Sequence, residues 1–196
     1  PVPGIADHPE VLTPDDIMAG RLPGADAVLV YDDDHYYLGG VIAQLLADAG
    51  KAVTLVTPGP EVSCWTQNTM EQHRIEKALL DRGVTLIAKH TLSRVEKDCA
   101  TFACNTTSRA LSVEASALVM VTLRAPQNHL YFELAGEAQE KLDELPFRIL
   151  RIGDCLAPST IAAAVYDGHR AARELDNLPD PDGVPFKREW SMIDRP

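Results

Sequence analysis

Residues 26–57 read DAVLVYDDDHYYLGGVIAQLLADAGKAVTLVT, and this stretch decides the fold. It opens with an apolar run that ends at Tyr31 and closes with a second apolar run over residues 52–57. Between them, apolar residues recur at helical spacing from Leu38 to Ala49, and Gly50 is a natural helix stop. A strand, a helix and a strand in about 30 residues predict a βαβ unit with parallel strands and a right-handed crossover.

The residues that follow extend this unit. The sequence predicts a helix over Asn68–Asp81 and a third parallel strand over Val84–Ala88. Short alternating runs between Leu92 and Val113 indicate an antiparallel meander, and the run 117–122 is typical of another buried strand. The predicted fold class is therefore α/β: a three-layer Rossmann-like nucleotide-binding domain with a parallel sheet and a small antiparallel meander.

Both ends of the chain carry separate elements. Thr13 and Pro14 indicate the start of a short helix that runs to Ala19. Residues 126–144 are mixed in character, with one helix possible at their end. A strand over Phe147–Ile152 and a strong helix over Ser159–Leu175 are predicted after them.

Composition limits the classes of function. Of 196 residues, 18 are Lys or Arg and 29 are Asp or Glu, which gives a net charge of −11. This charge argues against a nucleic-acid or anionic-membrane partner, because phosphates would be repelled. An apolar content of 45% is enough for a core and argues against disorder. No apolar run approaches the roughly 20 residues that span a bilayer.

The cysteines give no sign of a cofactor site. Zinc and iron–sulfur centres need thiolates at short spacing, and the chain has no C-x-x-C pair. Reduced thiols in a cytoplasmic protein are expected for all four, which are Cys64, Cys99, Cys104 and Cys155.

Four landmarks resemble the two-dinucleotide-domain flavoproteins of the glutathione reductase type, whose second domain is inserted into the first. Val28–Tyr31 and Val53–Val56 stand where the first two strands of the inserted domain would be. Residues 121–128, VTLRAPQN, stand at its A-T-G-R-x-P-N segment, and Ile152–Asp154 stands at the I-G-D return to the first domain.

A narrower resemblance covers nearly the whole chain. The opening PVPG, the region of Asp34 and Tyr36, and the run IGDCLAP at 152–158 through GHRAARE at 168–174 are similar to the C-terminal part of trimethylamine dehydrogenase-like enzymes. These belong to the NADH:flavin oxidoreductase (old yellow enzyme-like) group.

The resemblance implies a division of the chain into four parts. These are a linker over 1–24, a degenerate NAD(P)-type Rossmann-like domain over 25–146, the return strand and helix of a split FAD/ADP-type domain over 147–177, and a C-terminal arm over 178–196. It also implies a longer parent: an amine dehydrogenase or demethylase with FMN, a 4Fe-4S cluster, and ADP or FAD. The fragment itself is expected to bind no cofactor and to have no catalytic residue.

The most informative departure from the family lies at the first strand–helix turn. A dinucleotide site needs glycines there, so that the backbone can approach the pyrophosphate at the helix N-terminus. Here the turn carries Asp32, Asp33 and Asp34, while Gly39 and Gly40 come late. Like charges about 4 Å apart repel by about 4 kcal/mol near a protein surface. We therefore expect that NAD(P)H binding is lost, and the resemblance implies that electrons leave to an electron-transferring flavoprotein.

Other interpretations of this turn stay open. The three aspartates and His35 could hold a divalent cation, although capping of the next helix in solvent is favoured over metal binding. Tyr36 and Tyr37 could form a docking surface, but packing is the commoner use of such side chains. Trp65, which follows Pro58–Pro60, could also dock a partner, and packing is again the commoner use.

Gly153 and Asp154 are the remaining candidate site residues. The resemblance implies that Asp154 contacts a nucleotide held by the first domain, and only when the upstream half is present. The alternative is a turn aspartate that caps the helix after it. Two other functions remain: a working NAD(P)H domain of a flavin reductase, and a non-enzymatic Rossmann-like interaction module.

Overall fold

A computed structural model describes residues 2–135 and 149–175 of the chain. It divides into two compact units, residues 1–123 and 124–196. The domain boundary expected between 146 and 147 and the arm over 178–196 lie outside the described residues, so both stay predictions.

The first unit contains three helices and eight strands among its described residues. In chain order these are β1 (Val11–Leu12), α1 (Pro14–Met18), β2 (Ala27–Asp32), α2 (Leu38–Asp48), β3 (Ala52–Val56), α3 (Gln72–Asp81), β4 (Thr85–Ile87), β5 (His90–Val95), β6 (Cys99–Cys104), β7 (Ala110–Glu114) and β8 (Ala117–Val121). Short 3₁₀ turns lie over Ile5–Asp7 and Cys64–Thr69.

Five strands form one parallel sheet in the order β1-β8-β2-β3-β4. Val30 on β2 is opposite Leu55 on β3 and Val119 on β8. The other three strands form an antiparallel sheet in the order β5-β6-β7. The predicted parallel sheet and meander are therefore confirmed.

Alternation along β2 explains the three layers. Val28 and Val30 are buried in the same cluster as Ile42 of α2, whereas Leu29 and Tyr31 are buried in a cluster with the meander. Successive side chains of a strand point to opposite faces, so helices cover one face of the parallel sheet and the meander covers the other. A parallel sheet covered on both faces needs apolar strands, as the sequence of β2 predicts.

One helix boundary differs from the prediction. The helix expected from Asn68 begins at Gln72, because a 3₁₀ turn over Cys64–Thr69 precedes it and Met70 adopts a left-handed conformation with φ 59°. A left-handed residue cannot continue a right-handed helix, so α3 starts afresh after Glu71.

The second unit contains α4 (His129–Ala135), a 3₁₀ turn (Gly153–Cys155) and α5 (Ile161–Glu174). Residues 149–152 of the predicted return strand over 147–152 form no strand, and residues 147 and 148 lie outside the described ranges. None of the helices in the described ranges is long and apolar enough to cross a membrane.

The predicted start of α1 is confirmed and gives a test of local stability. Thr13 Oγ1 accepts the N–H of Asp16 at 3.2 Å, and the Asp16 carboxylate accepts the N–H of Thr13 at 2.8 Å. Loss of this capping box in Thr13→Ala should lower the free energy of unfolding by about 1 kcal/mol, measured by urea titration. Thr13→Ser keeps the hydroxyl and should retain most of this free energy of unfolding. An equal decrease for Thr13→Ala and Thr13→Ser would contradict the capping role.

Candidate functional site

The candidate site lies where β2 and β3 end and α2 begins. The carboxyl ends of parallel strands meet at one edge of a sheet, and open α/β sheets bind ligands outside that edge. The turn after β2 brings Asp32 and His35 to this edge, and Thr57 follows β3 there. The predicted turn residues therefore occupy the position of a nucleotide site.

Asp32 is buried inside this turn. Its relative exposure is 0%, and Oδ1 accepts the backbone N–H groups of Asp34 and His35, both at 3.2 Å. Oδ2 is also buried and has no hydrogen-bond partner among the described residues. Burial raises the pKa of Asp32 from 3.8 to about 6, the Asp34 charge adds to this rise, and the two N–H donors oppose it.

Gly39 and Gly40 lie in the first turn of α2 and are both buried. A methyl group at Gly39 would lie 2.5 Å from Asp32 Oδ2 and 2.8 Å from Asp32 Cβ. At Gly40 it would lie 2.8 Å from Ile75 Cγ2 of α3 and 3.3 Å from Ser63 Oγ. Each glycine therefore makes room for a side chain of this chain.

His35 ties the turn to the neighbouring loop. It has φ 63°, and its Nε2 lies 3.4 Å from Asp33 Oδ1 while Nδ1 lies 3.4 Å from Thr57 Oγ1. Its carbonyl accepts the N–H of Trp65 at 2.9 Å. A left-handed histidine is uncommon, and here contacts on both sides of the ring and at the carbonyl hold it.

This geometry corrects one interpretation of the aspartates. In the described turn, α2 begins after Tyr37 without a side-chain cap and has no acidic residue in its first turn, so capping in solvent is wrong. Asp32 instead binds its own loop from a buried position. No group of three or more His, Cys, Asp or Glu side chains in the described part of the chain could hold a metal ion.

The aromatic side chains at this edge are more exposed than the packing interpretation predicts. Trp65 is 62% exposed and Tyr37 is 53% exposed, so neither side chain is buried within this chain. Tyr36 is half-buried and makes an edge-to-face contact with Tyr37, with ring centroids 5.1 Å apart.

In the second unit, Gly153 and Asp154 form a turn before α5. Gly153 has φ 58° and donates its N–H to Asp167 Oδ2 at 2.7 Å. Asp154 is exposed and accepts the N–H of Ser159 at 3.4 Å, whereas the N-cap of α5 is Thr160. Helix capping by Asp154 is therefore wrong, and its nucleotide contact stays a prediction.

Sequence reasoning missed two residues of these turns. Thr57 accepts the N–H of Gly59 at 3.1 Å at the end of β3, and its place after an apolar strand was a usable signal. Asp167 is held by Gly153 and by Arg170, and both contacts lower the pKa of its carboxyl. Gly153 is 14 residues away from Asp167, so no local pattern indicates their contact.

The four cysteines are free, as predicted, but they differ in their pKa values. The Thr107 hydroxyl and nearby backbone N–H groups lower the pKa of Cys104 from 9.0 to about 7, whereas burial raises that of Cys64. Because the thiolate is the nucleophile, Cys104 should be alkylated by iodoacetamide at pH 7 about tenfold faster than Cys64, as read by mass spectrometry. Thr107→Val should slow Cys104 alone; an unchanged rate would contradict this cause.

Comparisons with known proteins agree with the geometry. Residues 12–103 match the family described as OYE-like second alpha/beta domain. The chain is 27% identical to dimethylamine dehydrogenase of Hyphomicrobium sp. (strain x), over 96% of this chain and 28% of that protein.

Two solved structures are also similar. Histamine dehydrogenase from Rhizobium sp. 4-9 is 38% identical, with a TM-score of 0.79 over 95% of this chain and 29% of its own. The 6-hydroxypseudooxynicotine amine oxidase from Pseudomonas geniculata N1 is 36% identical, with a TM-score of 0.76 over 87% of this chain and 25% of its own.

The chain thus spans between a quarter and three tenths of the length of these relatives. The matched family covers β2, α2, β3 and the turn that holds Asp32. Residues 12–103 form an OYE-like second alpha/beta domain, and the chain belongs to the trimethylamine dehydrogenase-like proteins of the old yellow enzyme-like group.

Proposed function

We propose that this chain is a non-catalytic, nucleotide-binding-type domain that no longer binds NAD(P)H and that supports a longer flavin-dependent oxidoreductase. Its relatives are oxidoreductases that act on amines, and it spans less than a third of their length. The domain would contribute structure and surface to the parent, while the chemistry takes place elsewhere in that protein.

One observation carries the proposal: the buried carboxylate of Asp32 at the turn that would hold pyrophosphate. A diphosphate needs backbone N–H groups that point outward and a surface free of side chains. Here two of those N–H groups, of Asp34 and His35, are already bound to Asp32 Oδ1. A nicotinamide dinucleotide therefore does not fit the residues present.

The charge of the turn also opposes nucleotide binding. A phosphate about 4 Å from one carboxylate is opposed by about 4 kcal/mol at the effective dielectric of a protein surface, or about a thousandfold in affinity. Asp33 and Asp34 lie half-exposed in the same turn. The helix dipole of α2 offsets only about 1 kcal/mol of such repulsion.

The parent's reaction follows from its relatives. We infer an amine dehydrogenase or demethylase that removes hydride from the carbon next to the nitrogen of a small amine. FMN would accept that hydride, and a 4Fe-4S cluster and ADP or FAD would complete the cofactor set. In that parent, the flavin and the cluster would be held by residues outside this chain, which spans less than a third of its relatives' length.

Exposed aromatic side chains favour a protein as the electron acceptor. Trp65 and Tyr37 lie at the edge of the closed turn, where the Trp65 N–H is bonded to His35. Aromatic side chains that are half or more exposed are enriched in protein interfaces. An electron-transferring flavoprotein is the acceptor that fits a parent without nicotinamide.

Apolar residues of α5 support its assignment to a split domain completed by the rest of the parent. Ile161 is 85% exposed and Val165 is 67% exposed, and Leu175, directly after the helix, is 62% exposed. A helix with an uncovered apolar face normally packs against another element. The remainder of the FAD/ADP-type domain would cover this face and bring Gly153 and Asp154 to its nucleotide.

The proposal is tested by titrating the chain with NADH and NADPH in a calorimeter, with ADP alongside. We expect neither heat nor a thermal shift with about 1 mM nicotinamide nucleotide, because the repulsion above raises Kd beyond that range. Micromolar binding of NADH would overturn the proposal and would favour a working NAD(P)H domain of a flavin reductase.

A second measurement separates the enzyme domain from a free interaction module. The reading frame that encodes this chain should also encode a flavin-bearing barrel and a cysteine cluster. A natural protein that lacks both would favour the non-enzymatic module.

A further inference from the structure

We propose that Asp32 is the residue that closes the nucleotide turn, and that Gly39 makes the room that the Asp32 side chain occupies. This inference rests on the proposed loss of NAD(P)H binding and assigns it to one side chain. The two residues thus form a matched pair, in which the volume missing from Gly39 is filled by the carboxyl group of Asp32.

The first step is the contact itself. The position that a Cβ of residue 39 would take lies 2.5 Å from Asp32 Oδ2 and 2.8 Å from Asp32 Cβ. Real Cβ atoms do not approach other heavy atoms this closely, and Asp32 is too short and too buried to turn away. Only glycine is compatible with Asp32 at position 39.

The second step is the state of the carboxyl group. Oδ1 is used by the N–H groups of Asp34 and His35, whereas Oδ2 is buried without a partner against the first turn of α2. Buried polar oxygens normally have a hydrogen-bond partner, and Oδ2 is an exception. Its contact with α2 is one of packing and not of hydrogen bonding. It lies in the gap between strand end and helix start, where nucleotide sites keep glycine on both sides.

The third step compares the other acidic residues of the turn. Asp33 and Asp34 are half-exposed, so their side chains can move into solvent. Asp32 is fully buried and cannot turn into solvent. This difference in burial is why we assign closure of the turn to Asp32.

The pairing is tested by thermal unfolding of the full chain. Gly39→Ala should lower Tm by about 5 °C or more through overpacking, and this loss should shrink to less than about half in an Asp32→Ala background. Gly168→Ala is the matched control, because Gly168 is also helical but nothing lies within 4 Å of a methyl group there. Its Tm should be unchanged or higher. Equal losses for Gly39→Ala in both backgrounds would overturn the pairing.

Closure is tested by NADH titration, followed by fluorescence, of wild type, Asp32→Ala and Asp32→Asn. Asp32→Ala should bind NADH at least about tenfold more tightly than wild type, and Asp32→Asn, which removes the charge but keeps the volume, should show a smaller gain. Asp33→Asn removes a half-exposed charge of the same turn and should show a smaller gain than Asp32→Ala. Circular dichroism checks that each variant is folded.

The outcomes separate the two proposals. Tight NADH binding by wild type would overturn the proposed function. Weak binding by wild type, with no gain in either folded Asp32 variant, would leave that function intact and overturn the assignment to Asp32. A gain in Asp33→Asn as large as in Asp32→Ala would also overturn it.

Discussion

Asp32→Asn should stabilise the first unit at pH 8 by about 2 kcal/mol and slightly destabilise it at about pH 4. The native pKa of Asp32, about 6, lies above its ordinary value of 3.8, so the folded state holds the proton more tightly. The stability from that proton is fully present below about pH 4 and is lost as pH rises through about 6, a change of about 3 kcal/mol. Asparagine does not ionise, so the variant does not lose this stability as the pH rises. Its amide group would lack a hydrogen-bond partner at the position of Oδ2, which lowers the free energy of unfolding by about 1 kcal/mol.

Urea unfolding at several pH values between 4 and 8 measures this effect. The curves of free energy against pH for wild type and Asp32→Asn should cross near the acid end of this range, at about pH 4.5. Asp26→Asn, at the fully exposed residue just before the same strand, is the control and should run parallel to wild type. Parallel curves for Asp32→Asn as well would show that Asp32 titrates normally.

Phe102→Ala should lower the free energy of unfolding of the first unit by about 3–5 kcal/mol. Phe102 lies on β6 with 0% exposure, and it heads the set of largest fully buried side chains among the described residues. Its ring centroid is 6.0 Å from that of Tyr31 on β2, at an interplanar angle of 40°. Truncation would therefore open a cavity between the meander and the parallel sheet.

Urea denaturation followed by circular dichroism gives the size of this loss. Phe132→Ala is the matched control, since Phe132 lies in the second unit and is 50% exposed. It should cost less than about 1 kcal/mol. Comparable losses for the two variants would mean that the meander is not a true layer of the core.

Period-two and helical patterns predicted most of the fold because they record burial directly. The unbroken apolar run that ends at Tyr31 indicates a buried strand, and the spacing from Leu38 to Ala49 indicates α2; both are observed. The start of α3 was misplaced because the left-handed conformation of Met70 is set by the preceding 3₁₀ turn and not by residue type.

The sequence drew attention to the turn but did not predict which of its aspartates is buried. Three aspartates in place of glycines identified the turn, yet nothing in their order distinguishes buried Asp32 from half-exposed Asp33. Burial at the end of a strand depends on what the sheet and α2 place around it. The contact between Asp32 and Gly39 and the bond between Gly153 and Asp167 both join residues from different elements, which local patterns do not record.

The contact between Asp32 and Gly39 also constrains the order in which mutations can accumulate. While Asp32 is present, any larger residue at position 39 meets its carboxyl group, so position 39 can diversify only after position 32 has changed. A lineage that carries this pair would thus keep a glycine that looks like a remnant of nucleotide binding, although selection for foldability alone maintains it.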